Sequence, residues 1–197
     1  MREKFEELVD GFVNNRVGVA PSFIPQELIA ALQKDLSEIH FNGLMSEAGV
    51  GNIASRVYAP EIRKDKIYWL DNKSKNINQQ QFLDIVAQFV SYLNSTCYTG
   101  LNDYEFHFAV YEPGSFYKKH KDQFRNDTGR KFSFITYLND NWTDGDGGQL
   151  LIYNDDKLVS VLPESGTSVF FKSDESAHEV ALAHRLRMSV TGWLKRV

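Results

Sequence analysis

The chain has 197 residues, of which 42% are hydrophobic and 24% are charged, and these proportions are ordinary for a globular protein with a substantial core. Its net charge of −4 gives no electrostatic reason to expect a nucleic acid as the main partner. No apolar run approaches the length that spans a membrane, and the charged N-terminus is not that of a signal peptide. The single cysteine excludes an internal disulfide and a cysteine-rich zinc site, so we expect a reducing cytoplasm as the location.

The first hundred residues carry the apolar spacing of helices. Phe5, Leu8 and Phe12 recur at helical intervals near the N-terminus, and a second helix is predicted to begin near Pro25, because proline is favoured in a first helical turn. The clearest helix is predicted over about residues 79–97, where an apolar stripe follows one face. Before it, residues 67–70 are typical of a short strand.

From Tyr104 onward the apolar period changes from that of a helix to that of a strand. Phe106 and Phe108 alternate with His107 and Ala109. Further strands are predicted at residues 131–138, 149–153, 158–162, 167–171 and 187–194.

Short strands that follow a helical half predict an α+β fold. We expect a double-stranded β-helix, or cupin-like jelly roll, with the N-terminal helices packed on one sheet and the opposite barrel mouth open. A single domain is predicted over residues 1–197, with mainly helical support up to residue 100 and a jelly-roll catalytic core over residues 104–197.

One histidine and one aspartate stand two residues apart after a strand-like run. At the strand period of two, His120 and Asp122 point to the same face, so both can reach one ion. A pair of this kind is weak evidence alone, because it also arises by chance in solvated loops. His178 follows after an interval of 58 residues, which accommodates about five short strands and returns a jelly roll to its start. Two imidazoles and one carboxylate form the facial triad of non-haem Fe(II) oxygenases, although zinc accepts the same ligands.

Arg187 opens the last predicted strand, nine residues beyond His178. Alternation predicts that Arg187, Ser189 and Trp193 share one face of that strand. An arginine directed into the barrel needs an anionic partner, because an unpaired buried charge is unfavourable, and its planar fork suits a carboxylate. The hydroxyls of Tyr137 and Ser189 could supply two further hydrogen bonds. The alternative is an arginine that reaches solvent at the strand end.

These residues together resemble the Fe(II)/2-oxoglutarate oxygenases, and within them the prolyl 4-hydroxylase family of the oxygen-sensing type and its bacterial relatives. The resemblance extends from about residue 60 to residue 194. The segments that carry it are Ile62-Arg63-Lys64-Asp65-Lys66-Ile67-Tyr68-Trp69-Leu70, Tyr111-Glu112-Pro113-Gly114, His120-x-Asp122, Tyr137-Leu138-Asn139, Gly147-Gly148-Gln149-Leu150, Phe170-Phe171-Lys172-Ser173-Asp174, His178-Glu179-Val180, and Arg187 with Trp193.

The resemblance implies a catalytic site with Fe(II) on His120, Asp122 and His178. It implies that 2-oxoglutarate is held by Arg187, with O₂ as the second co-substrate. The expected reaction is hydroxylation of a prolyl residue in a protein partner, with release of succinate and CO₂. Translation elongation factor Tu is a candidate partner by resemblance, and ascorbate is the reductant that would keep the iron reduced.

The same resemblance assigns roles to residues around the iron. Tyr111 and Tyr137 would line the 2-oxoglutarate pocket, with Tyr137 assisting the arginine. Arg63 and Asp65 would belong to a mobile loop that orders the substrate over the metal.

Three alternatives stay open at this point. The enzyme could hydroxylate another protein side chain or a small molecule. The domain could also be a cupin-like sensor that binds iron and 2-oxoglutarate without turnover. A zinc hydrolase is disfavoured by Arg187 and by the absence of a clear general base, since alternation points Glu179 away from His178.

Overall fold

The structure is a computed structural model that describes residues 1–49, 59–71, 73–123, 128–154 and 157–197. The helices in this part of the chain are α1 (Arg2–Asn15), α2 (Gln26–Phe41) and α3 (Ile77–Cys97). The strands are β1 (Val17–Ala20), β2 (Ser46–Glu47), β3 (Lys66–Trp69), β4 (Asp103–Tyr111), β5 (Tyr117–His120), β6 (Arg130–Tyr137), β7 (Leu150–Asn154), β8 (Lys157–Val161), β9 (Ser168–Lys172), β10 (Ala177–Val180) and β11 (Arg187–Lys195).

The helices begin and end where their local sequence favours it. Pro25 directly precedes α2, as expected for a residue that suits a helix start. The Asn76 side chain caps α3 by accepting hydrogen bonds from the backbone N–H groups of Asn78 and Gln79. Tyr98 ends α3 in the left-handed conformation with φ of 55°. Across the described ranges, no helix combines the length and apolar character needed to cross a membrane.

The strands form two antiparallel sheets. The large sheet has the order β1-β9-β6-β11-β4-β3-β2, and the small sheet has the order β5-β10-β7-β8. The described part of the first hundred residues therefore supplies three strands as well as helices, and β1 and β2 were not predicted. With four and two residues respectively, they are too short for alternation to be visible, and pairing with distant strands defines them.

Two hydrophobic cores lie on opposite faces of the large sheet. The first packs the three helices against rings such as Phe106, Phe134 and Phe170, and the ring of Phe89 lies 5.3 Å from that of Phe170. The second core lies between the two sheets and contains Tyr111. This arrangement confirms the predicted jelly roll with helices on one sheet, and the inner faces of both sheets are left to build a site.

Candidate active site

The small sheet brings His120, Asp122 and His178 to one point. His178 on β10 lies directly opposite His120 on β5, and Asp122 follows β5 by two residues. One ligand atom from each residue lies within 4.8 Å of those of the other two. The Asp122 carboxylate is 3.5 Å from Nε2 of His120 and 3.4 Å from Nε2 of His178. Two imidazoles and one carboxylate converge here, which is a donor set that suits Fe(II).

Backbone carbonyls fix the tautomer of both histidines. Nδ1 of His120 lies 2.7 Å from the Lys118 carbonyl oxygen, and Nδ1 of His178 lies 3.2 Å from that of Ser176. A carbonyl only accepts, so each Nδ1 carries a hydrogen, which leaves Nε2 as the nitrogen that can bind a metal ion beside the aspartate. Burial lowers the pKa of His178 to about 4, so this imidazole is neutral near pH 7.

Asp122 is kept ionised inside the protein. Burial acts to raise its pKa, but the neighbouring histidines and a hydrogen bond from Ser133 outweigh burial and hold the pKa well below its usual value. The Ser133 hydroxyl donates to the carboxylate at 2.6 Å and also lies 2.9 Å from the Ser173 hydroxyl. An anionic carboxylate oriented by a second residue is the state that a metal ligand requires.

A buried cation lies in the same cavity. Arg187, at the start of β11, is only 2% exposed, and its Nε donates to the Gly148 carbonyl at 2.8 Å. Its guanidinium carbon lies 4.9 Å from the Tyr111 ring and 5.0 Å from the Tyr137 ring. Among the described residues, no carboxylate forms an ion pair with Arg187. A buried guanidinium without a counter-ion is energetically unfavourable, so this site favours the binding of an anion.

Hydroxyl groups next to Arg187 point to the same conclusion. The Tyr137 hydroxyl is buried and has no hydrogen-bond partner in the part of the chain that the structure describes. Burial raises the pKa of Tyr137 to about 12, so it stays a neutral donor. Ser189 lies on the same face of β11, and its hydroxyl is 3.1 Å from that of Thr191. An arginine without a carboxylate partner and a hydroxyl without a hydrogen-bond partner, both judged among the described residues, together fit one carboxylate of 2-oxoglutarate.

The triad and the arginine line one pocket of about 380 Å³. Ile135, Leu150 and Val180 contribute apolar walls to it. Such walls exclude water from the space between the metal ligands and the arginine, which strengthens the electrostatic interactions there.

Arg63 and Asp65 lie in the wall of this pocket as an ion pair. Nε of Arg63 donates to Asp65 at 2.7 Å, and Asp65 is 1% exposed. Their predicted role in ordering a substrate stays a prediction. The sequence predicted no role for Tyr117, Ser133 or Trp69, although Tyr117 and Trp69 line the pocket and Ser133 bonds to a triad member. A polar residue at an inward position of β6 was the one available signal for Ser133.

Comparison with known proteins assigns the family. Residues 106–195 match the 2OG-Fe(II) oxygenase superfamily. The crystal structure of a prolyl-4-hydroxylase from Pseudomonas putida superposes with a TM-score of 0.88 and 34% sequence identity, over 98% of this chain and 99% of that one. The chain belongs to the prolyl hydroxylase family of 2OG-Fe(II) oxygenases.

Other members of the prolyl hydroxylase family are more distant. Prolyl hydroxylase EGLN3 from Mus musculus is 28% identical over 178 residues, which is 80% of this chain and 69% of that protein. A second solved structure is a prolyl hydroxylase from Trichoplax adhaerens in complex with a hypoxia inducible factor peptide fragment. It superposes with a TM-score of 0.87 at 24% identity, over 98% of this chain and 91% of that one, which shows that the two proteins share a fold. Membership in the family makes this chain a 2-oxoglutarate-dependent dioxygenase that uses Fe(II) and O₂.

Proposed function

We propose that this enzyme hydroxylates a prolyl residue of a protein or peptide, with Fe(II) held by His120, Asp122 and His178 and 2-oxoglutarate held by Arg187. The observation that carries the proposal is a metal-ready triad in one pocket with a buried arginine that no described carboxylate neutralises. Bound iron, with 2-oxoglutarate and O₂, supplies the oxidising chemistry that inserts oxygen into a C–H bond, with succinate and CO₂ as by-products.

The chain's own residues bind, orient and exclude water. Arg187 would pair with one carboxylate of 2-oxoglutarate, and the unpaired hydroxyl of Tyr137 would donate a further hydrogen bond to it. Tyr111 would close the pocket against the guanidinium, and Ser189 would add a hydroxyl on the same strand face. The apolar walls would keep the reacting carbon away from bulk water.

The prolyl substrate is supported by the relatives and by the character of the pocket. The Pseudomonas putida relative, at 34% identity over nearly the whole chain, is a prolyl-4-hydroxylase. Trp69 and Trp193 line the pocket beyond the triad, and the exposed ring of Trp69 suits packing against a pyrrolidine ring. Trp193 also carries a buried indole N–H without a hydrogen-bond partner among the described residues, which suits a peptide carbonyl. Arg63 and Asp65, in the same wall, would help to order the bound peptide.

The finer features of this proposal have separate grounds. Elongation factor Tu as the protein partner rests on the family resemblance alone. The need for ascorbate and the cytoplasmic location likewise stay predictions.

The proposal is tested by peptide modification. The enzyme is loaded anaerobically with Fe(II), mixed with 2-oxoglutarate and a panel of prolyl peptides that includes the proline-bearing loop of elongation factor Tu, and then exposed to O₂. Mass spectrometry should find one added oxygen atom on a proline, and a matched peptide with alanine in place of that proline should stay unmodified.

Each outcome of the peptide test has a distinct meaning. Oxygen addition to the alanine peptide, or to a small molecule in place of every peptide, would overturn the prolyl substrate while keeping the oxygenase. Tight binding of 2-oxoglutarate without succinate, in protein shown to hold iron, would favour a sensor without turnover.

A further inference from the structure

The ring of Tyr117 lies between two planar groups at the edge of the metal site. On one side the His120 imidazole is stacked on it, with ring centroids 3.5 Å apart and planes 14° from parallel. The Arg63 guanidinium carbon lies 4.1 Å from the centroid of the same ring. A metal ligand, a tyrosine and a half-buried arginine therefore form one continuous stack.

An irregularity in β5 explains why Tyr117 and His120 share a face. His120 pairs with His178, and Tyr117 pairs with Val180. Two residues of β5 therefore lie between the two paired positions, whereas on β10 only one residue lies between them. This β-bulge rotates the strand, and side chains three residues apart point the same way. Backbone hydrogen bonds from Lys64 to Phe116 and from Lys118 to Ile62 then hold Arg63 opposite Tyr117.

The arginine is itself fixed by a carboxylate. Nε of Arg63 donates to one oxygen of the buried Asp65 carboxylate at 2.7 Å, and the terminal nitrogen donates to the other oxygen. These bonds use the edge of the guanidinium and leave its face free to stack on a ring. Asp65 thus holds the arginine plane against Tyr117.

The three triad residues differ in how much support they receive elsewhere. The His178 side chain is 5% exposed and contacts the Phe171 ring at 4.8 Å, and Asp122 accepts a hydrogen bond from Ser133. The His120 side chain is 16% exposed and lies on β5, which is the last strand at one end of the small sheet. Its Nδ1 hydrogen bond to Lys118 anchors one atom of the ring, but a single bond leaves the ring free to tilt about it.

We propose that Tyr117, clamped between Arg63 and His120, is a positioning residue that holds the His120 imidazole in the plane required for metal binding. The inference rests on the proposed metal site and adds a support that extends from the triad to the Arg63–Asp65 pair. The supporting element is the aromatic face, so a phenylalanine at position 117 would replace it and an aliphatic side chain would not.

This role is tested by measuring the affinity of the full chain for Mn(II) alone in a calorimetric titration, which requires no turnover. Residues that orient a metal ligand typically change metal affinity by about 10- to 100-fold when mutated, so we expect a loss in this range for Tyr117→Leu. Tyr117→Phe should bind Mn(II) as the wild type does. Tyr153→Leu is the matched control, because the Tyr153 ring also contacts a cation, Lys119 at 3.6 Å, but does not line the pocket.

Loss of affinity in Tyr117→Leu, with retention in Tyr117→Phe and Tyr153→Leu, would support the inference. Wild-type affinity in Tyr117→Leu, or an equal loss in Tyr117→Phe, would overturn it and leave the metal site standing. A wild-type chain that binds no Mn(II) would overturn the metal site as well.

Melting of each metal-free variant reports whether the chain has folded. If Tyr117→Leu does not fold, Arg63→Lys replaces it in the test, because lysine keeps a charge beside Asp65 but lacks the planar group that stacks. A weaker affinity for Mn(II) in Arg63→Lys would support the inference, and an unchanged affinity would overturn it.

Discussion

Replacing Arg187 with methionine should separate the stability of the fold from the stability that 2-oxoglutarate adds. At about 100 times its Kd, a ligand stabilises the folded state by about 2.7 kcal/mol. Removing one partner of a buried charge pair costs about 2–5 kcal/mol, so binding should weaken by roughly 30-fold or more. At the same concentration the variant would then gain at most about 0.9 kcal/mol.

The melting temperature reports this difference directly. For a chain of 197 residues, about 1 kcal/mol corresponds to roughly 2–4 °C. The shift produced by 2-oxoglutarate should therefore fall from roughly 5–11 °C in the wild type to below about 4 °C in Arg187→Met. Loading both proteins with Mn(II) in place of Fe(II) prevents turnover during the scan.

The ligand-free variant should be no less stable than the ligand-free wild type. Arg187 is 2% exposed, and no ion pair with a carboxylate neutralises it among the described residues, so the wild type carries the unfavourable desolvation of a lone cation. Replacing buried charged groups with apolar side chains of similar size is often neutral or stabilising by about 1–4 kcal/mol. The lost hydrogen bond to Gly148 and the two ring contacts offset part of this gain.

Arg185→Met is the matched control for this experiment. Its side chain is 44% exposed and donates hydrogen bonds to the carbonyls of Asp140 and Asn141, so the full 2-oxoglutarate shift should persist. If Arg187→Met keeps the wild-type shift, the assignment of Arg187 to the 2-oxoglutarate carboxylate is wrong. A large drop in the stability of the ligand-free variant would contradict the view that the arginine is unneutralised.

Two further predictions concern residues behind the ligands. Ser133→Ala removes the hydrogen bond to the triad carboxylate and should weaken Mn(II) binding by about 10- to 100-fold in a titration. Thr136→Val is the control, because it removes a buried hydroxyl on the opposite face of β6 and should leave Mn(II) affinity intact. Equal affinities in the two variants would refute the role of the serine. Gly148→Ala and Gly43→Ala both place alanine at positive φ, so each should lose about 1 kcal/mol of unfolding free energy, measured by denaturant titration. Only at Gly148 would the added Cβ lie 3.0 Å from Cδ of Arg187, so only Gly148→Ala should bind 2-oxoglutarate more weakly. An unchanged affinity for 2-oxoglutarate in Gly148→Ala would contradict the link between this glycine and the position of Arg187.

Periodicity along the chain was sufficient to predict the large features of the fold and which residues meet in the candidate site. Alternation placed His120 and Asp122 on one face, and the structure brings both against His178. It also placed Arg187 and Trp193 on one face of β11, and both line the pocket. The long apolar stripe predicted α3 to within a few residues, because burial of one face is encoded locally.

Features that depend on neighbours from distant parts of the chain could not be predicted in this way. The β-bulge in β5 breaks the period of two, so no local pattern indicated that Tyr117 stacks on His120. Ser133 takes its role from a carboxylate that lies eleven residues earlier and follows a strand of the other sheet. The short strand β1 is defined by its partner β9 rather than by its own four residues.

Succinate formation from 2-oxoglutarate is the measurement that tests the central claim most directly. The wild type and His178→Ala are incubated with Fe(II) and 2-oxoglutarate, with a prolyl peptide that the wild type modifies, and with or without O₂. We predict succinate only from the wild type, only with both Fe(II) and O₂ present, and no measurable iron retention in His178→Ala. Equal succinate formation by the two proteins, or formation without iron, would contradict the assignment of this triad as the metal centre.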